Sequence, residues 1–252
     1  MDDFALAESL VRDAGRLAAR MLQDGLRTEH KTSVSDVVSA ADHAAEALIG
    51  SRLNADRPLD GVVGEEGTDR TSERTARTWY VDPVDGTYNF LSGLPEWCSA
   101  LALTDAEGPV LGAVYQPTAD ELWLGGRSRV TTCNGVEVPR LRDRPLAEVS
   151  IASYLHPTTL PDDSVRVPLL RAVSRAATVR MLGSGSIELA SVAAGRLGAW
   201  VQTGSLPWDW LPGVALILAA GGAAEVIEAH GHRWHIAGSR QTVDELIALV
   251  SA

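Results

Sequence analysis

Two carboxylates stand three residues apart in the stretch Asp82-Pro83-Val84-Asp85-Gly86-Thr87. The residues before it, Thr78-Trp79-Tyr80-Val81, are aromatic and β-branched, which predicts a buried strand, and Pro83 is expected to end the hydrogen-bond ladder of that strand. Gly86 allows the backbone to approach a ligand closely, and Thr87 is expected to cap a short helix whose free N–H groups favour an anion. The stretch therefore predicts ligands for Mg²⁺ beside a phosphate-binding backbone.

Two further acidic positions, Glu65 and Asp209, are candidates for the same site. Glu65 follows the short apolar step Gly61-Val62-Val63-Gly64, although the pair Glu65-Glu66 on its own is typical of a solvated surface. Asp209 stands between Trp208 and Trp210, and carboxylates are seldom found in such an apolar setting without a partner or a metal. A cation is the expected partner.

The spacing of apolar residues predicts the elements that position these side chains. In the first half it predicts a helix over 3–24, and Ser39 opens a Ser-x-x-acid capping signal, with Asp42 as the acid, for a second helix. Asn134-Gly135 predicts a hairpin turn after strands over 99–103, 109–115 and 121–125. In the second half, helices are predicted over 168–177, 186–195, 213–221 and 242–250.

The composition limits the class of protein and the partners it can have. The chain has 252 residues, 45% of them hydrophobic, and a formal net charge of −11. This length predicts a substantial core, in one large unit or in two closely packed halves. The acidic balance without a basic run argues against a nucleic acid or an anionic membrane as the main partner. It does not exclude an anionic substrate, because bound divalent ions can reverse the local charge of a carboxylate-lined pocket.

Three features bear on the cellular compartment. The acidic residues Asp2, Asp3 and Glu8 are unlike the start of a secretory signal, and the longest apolar run, 213–224, is too short to span a bilayer. Cys98 and Cys133 lack CxxC spacing, which favours two reduced thiols over a disulfide. The sequence therefore predicts a cytoplasmic protein.

Five segments, in this order, resemble those of the inositol monophosphatase family. They are Lys31 with Asp36, Ser39 and Asp42; Gly64-Glu65-Glu66; Asp82 to Thr87; Arg180 to Ser186; and Trp208-Asp209. Ser39 stands where the family usually has Thr, and Gly221-Gly222 stands where a helix of the family ends. The resemblance covers nearly the whole chain.

The resemblance implies an α+β fold, a layered αβαβα sandwich of the inositol monophosphatase and fructose-1,6-bisphosphatase type. Residues 1–252 would form a single unit. The half 1–145 would supply most metal ligands, and the half 146–252 would supply Asp209 and the substrate pocket.

The resemblance also assigns roles to individual residues. Two to three Mg²⁺ ions would be bound by Glu65, Asp82, the carbonyl of Val84, Asp85 and Asp209. Catalytic roles fall on Glu65, Asp42, Thr87, Glu66 and Lys31, with Asp42 and Thr87 orienting the attacking water. Substrate contacts fall on Asp85, Gly86, Thr87, Gly183, Ser184, Gly185, Gln202 and Asp209. From the sequence alone, the single lysine Lys31 and the acid Glu66 are also explained without a catalytic role.

Two departures from the family pattern concern the substrate. Gln202 stands where many members carry a Glu, and an amide cannot bring a negative charge to a cationic group. Gly185 replaces a small apolar residue, which would open the pocket wall. The resemblance implies hydrolysis of a small phosphomonoester: inositol 1-phosphate first, histidinol phosphate second, then a 3′-phosphoadenosine nucleotide or a sugar bisphosphate. It also implies lithium sensitivity and a homodimer.

Three other interpretations fit parts of the sequence. His230, His232 and His235 have the spacing of a zinc site, although Gly231 favours a hairpin tip. The run 183–186 has the Gly and Ser content of a nucleotide loop or a nucleophilic serine, but it lacks the Walker lysine and the Gly-x-Ser-x-Gly frame. A catalytically silent binding module on the same fold would have little reason to retain the whole acidic set.

Overall fold

The structure is a computed structural model that describes residues 1–25, 28–30, 37–72 and 75–252. Lys31, a predicted catalytic residue, and Asp36, from the same segment of the family resemblance, lie outside the described residues. None of the described helices is both long and apolar enough to cross a membrane.

Seven α-helices occur in the described residues. They are α1 (Asp3–Gln23), α2 (Ala40–Asp56), α3 (Thr87–Ser92), α4 (Asp163–Val173), α5 (Gly185–Ala193), α6 (Pro207–Ala219) and α7 (Arg240–Ser251). The first N–H groups of a helix have no partner inside the helix, so a side chain before the helix often accepts a hydrogen bond from them. Asp2 caps α1 in this way, Ser184 caps α5 and Ser239 caps α7. The helices predicted over 3–24, 186–195 and 242–250 are confirmed by α1, α5 and α7.

The strands form two larger sheets and one small pair in the described part of the chain. The pair is β1 (Thr28–His30) with β2 (Val37–Ser39). The first large sheet contains β3 (Gly61–Gly64), β4 (Thr78–Asp85), β5 (Cys98–Asp105), β6 (Gly108–Gln116), β7 (Glu121–Gly126), β8 (Arg129–Cys133) and β9 (Val136–Glu137), in that spatial order. Only β3 and β4 run parallel in it. Asn134 and Gly135, both with positive φ, turn the chain between β8 and β9 as predicted.

The second large sheet has the order β11-β10-β12-β14-β13. Its strands are β10 (Ser150–Ala152), β11 (Thr178–Arg180), β12 (Ala199–Thr203), β13 (Ala223–Ala229) and β14 (His232–Gly238). β10 runs parallel to both β11 and β12, and the other pairs are antiparallel. Both large sheets are therefore mixed.

Three apolar clusters show how the layers stack. The first joins α1 and α2 to one face of the seven-stranded sheet, for example Leu10 and Ile49 with Leu101. The second joins the other face of that sheet through α5 and α6 to the five-stranded sheet, and the third places α4 and α7 on the far side. The order is helix, sheet, helix, sheet, helix, which is the predicted αβαβα sandwich.

The middle helices pack so closely that only glycine fits at two contacts. A Cβ at Gly112 of β6 would lie 2.1 Å from the carbonyl oxygen of Pro212, and a Cβ at Gly213 would lie 2.2 Å from Cβ of Leu189. These contacts fix α6 against the seven-stranded sheet on one side and against α5 on the other. Asp209, in the first turn of α6, is positioned by them.

Three predicted boundaries are wrong. β4 continues through Pro83 to Asp85, because a bulge there needs no donor from proline. α6 begins at Pro207 rather than near Gly213, since proline is well suited to the first helical position. α4 begins at Asp163 and contains Pro168, where Asp162 supplies the N-cap.

Candidate active site

A β-bulge brings the two carboxylates of β4 to the same side. Asp82 pairs with Ala100 and Asp85 with Cys98, so β4 carries one extra residue across this interval. In a regular strand, residues three apart point to opposite faces, and the extra residue cancels that alternation. Ser99 fixes the bulge by donating its hydroxyl hydrogen to the carbonyl oxygen of Pro83 over 2.5 Å.

Gly86 turns the chain directly after the bulge. Its φ of 92° is in the left-handed region, and it is the N-cap of α3, so the prediction that Thr87 caps this helix is wrong. Thr87 is the first helical residue instead, and its hydroxyl donates to the carbonyl oxygen of Val84 over 3.0 Å. A Cβ at Gly86 would lie 3.2 Å from the carbonyl oxygen of Gly183, so glycine is also needed where the second half of the chain approaches.

Asp209 and the start of α5 reach the bulge from the second half. Asp209 accepts a hydrogen bond from the N–H of Leu206 over 3.2 Å, which fixes its carboxylate at the beginning of α6. One oxygen from each of Asp82, Asp85 and Asp209 lies within 4.8 Å of the others. Asp85 also accepts from the N–H of Ser186 over 2.5 Å, so the same carboxylate holds the first turn of α5.

The cluster of acids opposes its own ionisation. Burial, and then the charge of Asp209, raises the pKa of Glu65 to about 8, while burial and the charge of Asp85 raise that of Asp209 to about 7. Burial, followed by the charge of Glu65, raises the pKa of Asp82 well above its usual value. Burial also raises the pKa of Asp85, although hydrogen bonds from Ser186 oppose this. A bound cation would remove the repulsion.

The donor set fits a hard divalent cation. Oδ1 of Asp82 is buried and has no hydrogen-bond partner, which is costly for a carboxylate unless a cation binds it. The three clustered groups offer oxygen atoms only, as Mg²⁺ prefers. Glu65 lies near enough for its carboxyl and that of Asp82 to shift each other's pKa, and it therefore extends the set.

Helix α2 supplies the acids behind Glu65. Asp42 is buried in its first turn, and the carboxylate of Glu46, one turn later, accepts from the N–H groups of Glu66 and Thr68 over 2.8 Å each. The side chain of Glu66 is only 6% exposed and lies 3.3 Å from Nδ1 of His43. Glu66 is therefore not a solvated surface acid. Glu46, which the sequence analysis missed, holds the turn that carries Glu65, and its spacing from Asp42 on one helix face was the available signal.

A cavity of about 200 Å³ adjoins the carboxylates. Six of the predicted substrate contacts line it: Asp85, Gly183, Ser184, Gly185, Gln202 and Asp209. Gly86 and Thr87 are not among the residues that line it, and their backbone lies at the neighbouring start of α3. Tyr154, Glu188 and Trp200 complete the wall and were not predicted.

Comparison with known proteins shows the family to which this chain belongs. Residues 2–248 match the model of the inositol monophosphatase family. The inositol-1-monophosphatase of Rhizobium meliloti is 34% identical over 235 residues, which are 90% of this chain and 84% of that relative. The chain belongs to the inositol monophosphatase family.

Solved structures of similar fold agree with this membership. The extragenic suppressor protein suhB of Bartonella henselae gives a TM-score of 0.88 at 27% identity, over 98% of this chain and 97% of that one. The Thermotoga maritima IMPase gives 0.85 at 27% identity, over 99% and 97%. This member of the inositol monophosphatase family is therefore a phosphomonoesterase with the family's layered fold.

In this inositol monophosphatase family member, the side chain of Glu188 in α5 forms hydrogen bonds with the segment before α5 and with β12. It is 1% exposed. One carboxylate oxygen accepts from the N–H of Leu182 over 2.6 Å and the other from Nε1 of Trp200 over 2.9 Å. Trp200 in turn lies against Trp210, the neighbour of Asp209, with ring centroids 5.6 Å apart. Burial raises the pKa of Glu188 to about 8, although both hydrogen bonds oppose this.

In the described part of this family member, His230, His232 and His235 do not converge on a metal site, and the two cysteines are not bonded to each other. Nε2 of His230 lies 2.9 Å from the carbonyl oxygen of Val250, Nε2 of His232 lies 2.8 Å from Oγ of Ser164, and the ring of His235 packs on Trp210. Because the three rings have different partners, the zinc interpretation is wrong and the hairpin between β13 and β14 is confirmed. Both cysteines are free thiols, as predicted.

Proposed function

We propose that this chain hydrolyses a small phosphomonoester, inositol 1-phosphate first, with Mg²⁺ and by direct attack of water. The observation that carries the proposal is the cluster of the buried Asp82 and Asp85 with the half-buried Asp209: Oδ1 of Asp82 has no hydrogen-bond partner, and Asp85 and Asp209 line a cavity. The similarity to the inositol-1-monophosphatase of Rhizobium meliloti supports the substrate.

The oxygens of Glu65, Asp82, Asp85 and Asp209 and the carbonyl of Val84 would hold two to three Mg²⁺ ions. When bound, Mg²⁺ supplies positive charge to the phosphate and makes a water acidic enough to react near neutral pH. No covalent enzyme intermediate is required for such a displacement, because Thr87 and Asp42 would hold the attacking water.

Thr87 is suited to hold that water as an acceptor. Its single hydroxyl hydrogen is donated to the carbonyl oxygen of Val84, so its oxygen lone pairs are left to accept a hydrogen from a water molecule. The buried carboxylate of Asp42 would accept the second hydrogen and the proton released by the attack. The N–H groups of Gly86 and Thr87, at the start of α3, would bind phosphate oxygens.

The second half of the chain would bind the alcohol. The cavity of about 200 Å³ is smaller than the roughly 300–1,000 Å³ typical of drug-sized ligands, which favours a single polyol ring over an adenosine nucleotide. The amide of Gln202 can donate to one hydroxyl and accept from another, but it brings no charge to the amine of histidinol phosphate. Inositol 1-phosphate is therefore the first candidate and histidinol phosphate the second.

A phosphate-release assay with Mg²⁺ tests the proposal. Inositol 1-phosphate should have the highest kcat/KM among inositol 1-phosphate, histidinol phosphate, a 3′-phosphoadenosine nucleotide and a sugar bisphosphate, and EDTA should abolish release. Gln202→Glu should raise the relative kcat/KM of histidinol phosphate about 10-fold or more and leave the metal requirement unchanged. Absence of release from every substrate would favour the silent module.

A further inference from the structure

A second cavity, of about 570 Å³, lies away from the acidic cluster. It opens between the segment 139–144 that follows β9, the turn between α5 and β12, and the start of α7. The active-site cavity is lined by Gly185 and Glu188 in the first turn of α5, whereas this one is lined by the residues that follow the last residue of α5. Because nine helical residues rise about 14 Å, the two cavities are separate sites at opposite ends of one helix.

The walls of this cavity are rich in guanidinium groups. Four arginines line it, Arg140, Arg142, Arg144 and Arg196, and Glu148 is the one carboxylate among the residues that line it. The chain as a whole has a formal net charge of −11, so this is a local reversal of its charge. A concave surface with one sign of charge concentrates the opposite charge.

Two of the four arginines are already paired. Arg196 makes a double contact with the carboxylate of Glu121, at 2.6 Å for each nitrogen. Arg144 donates to the carbonyl oxygen of Glu148 over 3.0 Å, and its guanidinium lies 3.9 Å from the carboxylate of the same residue. The charges of Arg196 and Arg144 are therefore largely balanced by Glu121 and Glu148, and these two arginines form part of the wall without being available to an anion.

Arg140 and Arg142 are different, because neither forms an ion pair with any carboxylate in the described part of the chain. The side chain of Arg140 lies against Gly221, where a Cβ would be 2.8 Å from Nε, so the absence of a side chain at Gly221 leaves room for it. Asp143 forms no ion pair with Arg140 in the described part of the chain, and its Oδ1 accepts from the N–H of Gln241 at the start of α7. The cavity therefore holds two guanidinium groups free to bind an anion.

We propose that this cavity binds a small anion with at least two phosphate groups, held by Arg140 and Arg142. The planar fork of a guanidinium donates two parallel hydrogen bonds to a phosphate, so two forks match two linked phosphates better than they match chloride or one carboxylate. The site is distinct from the proposed catalytic centre and does not depend on the substrate assigned there.

Calorimetric titration with inorganic pyrophosphate tests this site. The titration is done in EDTA, which removes divalent cations, so the acidic cluster has no cation with which to hold a phosphate and no turnover occurs. The unaltered protein should bind one pyrophosphate, and Arg140→Ala with Arg142→Ala should weaken binding at least about 10-fold, because two charge-assisted contacts are lost. The matched control is Arg20→Ala with Arg175→Ala, which removes the same charge at two exposed positions outside the cavity and should leave the affinity unchanged.

Two further titrations test whether binding needs the guanidinium geometry or only its charge, and whether the ligand is free pyrophosphate or a nucleotide. Arg140→Lys with Arg142→Lys keeps the charge and should bind pyrophosphate less tightly than the parent, which also covers the case in which the alanine variant fails to fold. If ADP competes and binds more tightly than pyrophosphate, the ligand class is a nucleoside diphosphate, and the site stands. Absence of binding, or equal weakening by the control pair, overturns it. The phosphatase assay is separate, so a failure of either proposal is recognised independently.

Discussion

At the scale of single residues, the site depends on carboxylates that are costly to bury. Asp82 is 1% exposed and its Oδ1 has no hydrogen-bond partner. Neighbouring acids raise its pKa further after burial has done so. Such a group is stable in a folded protein when a cation binds it, and otherwise it takes up a proton.

The variant Asp82→Asn should change phosphate release and the free energy of unfolding in opposite directions. Phosphate release should fall by about 10³-fold or more, because the variant would lose a ligand from the centre of the proposed metal site. In EDTA near pH 8 the variant should nevertheless be about 1 kcal/mol more stable than the parent, since an amide removes the repulsion and donates to neighbouring carboxylates. Urea denaturation measures the second effect, with the exposed Asp24→Asn as the control. Retained turnover would reject the metal assignment.

Glu188 is expected to hold the wall of the cavity in position, and enzyme kinetics can test this role. Both hydrogen-bond partners of Glu188, the N–H of Leu182 and Nε1 of Trp200, are donors. The amide of Glu188→Gln has one oxygen to accept from one of them, but its NH₂ group would face the other donor, so one of the two hydrogen bonds is lost. We expect the KM for substrate to rise about 10-fold while the Mg²⁺ concentration needed for half-maximal rate stays the same, and stability to fall by about 1–3 kcal/mol. Glu137→Gln, on the exposed strand β9, is the control. Equal changes in substrate and metal dependence would place Glu188 in the metal site instead.

At the scale of elements, the position of Asp209 depends on the packing of α6. Gly112→Ala would place a Cβ 2.1 Å from the carbonyl oxygen of Pro212, so α6 must shift. The variant should lose about 1–3 kcal/mol of stability and most of its phosphatase activity, because Asp209 moves with the helix.

Gly185→Ala is the control for stability, since the nearest atoms to its new Cβ would lie 3.8 Å away. Both variants are compared by urea denaturation and by the Mg²⁺ dependence of phosphate release. If Gly112→Ala retained normal metal dependence, the helix contact would not be what positions Asp209.

The sequence predicts elements well where periodicity is strong and less well where burial is complete. α1 has one apolar face and was predicted at its observed bounds within a residue. α6 packs between two sheets and is apolar on all sides from Trp210 to Ile217, so the sequence shows no alternation of apolar and polar faces that would mark where the helix begins. The bulge at Pro83 follows from pairing with β5, which is information from a distant segment.

The same reasoning explains which site residues the sequence revealed. Asp82 and Asp85 were found because they stand three residues apart at the end of a predicted strand, and Asp209 because it stands between two tryptophans, which is unusual for an acid. Glu188 was missed, although a single acid between Ile187 and Leu189 in an apolar helix carries the same signal. Tyr154 gave no signal at all, because only the fold brings its loop to the cavity.

At the scale of the whole molecule, the cluster should make metal-free protein less stable as pH rises. The pKa of Glu65 is about 8 and that of Asp209 about 7 in the folded protein, against 4.5 and 3.8 as usual values. The folded state therefore holds more protons than the unfolded state between about pH 4 and pH 8, and the free energy of unfolding falls across that window. The Tm in EDTA should be lower near pH 8 than near pH 5.

If the proposed site binds Mg²⁺, added Mg²⁺ should raise the Tm most near pH 8, because the ion would bind the ionised carboxylates of the folded protein. The doubly substituted variant Glu65→Gln with Asp209→Asn should show a flatter dependence of Tm on pH in EDTA. A Tm in EDTA that rises from about pH 5 to pH 8 would contradict the assignment of these raised pKa values.

The close contact of α5 and α6 with the seven-stranded sheet also bears on the maturation of the nascent chain. A ribosome makes Asp82, Asp85 and the face of the sheet around Ala100 and Val114 long before it makes the helices that cover them. The bond from Ser186 to Asp85 spans 101 positions, and the bond from Thr131 to the carbonyl oxygen of Leu216 spans 85. Until α6 emerges, the apolar face stays open to chaperones, so competence for catalysis is acquired in one late step of synthesis.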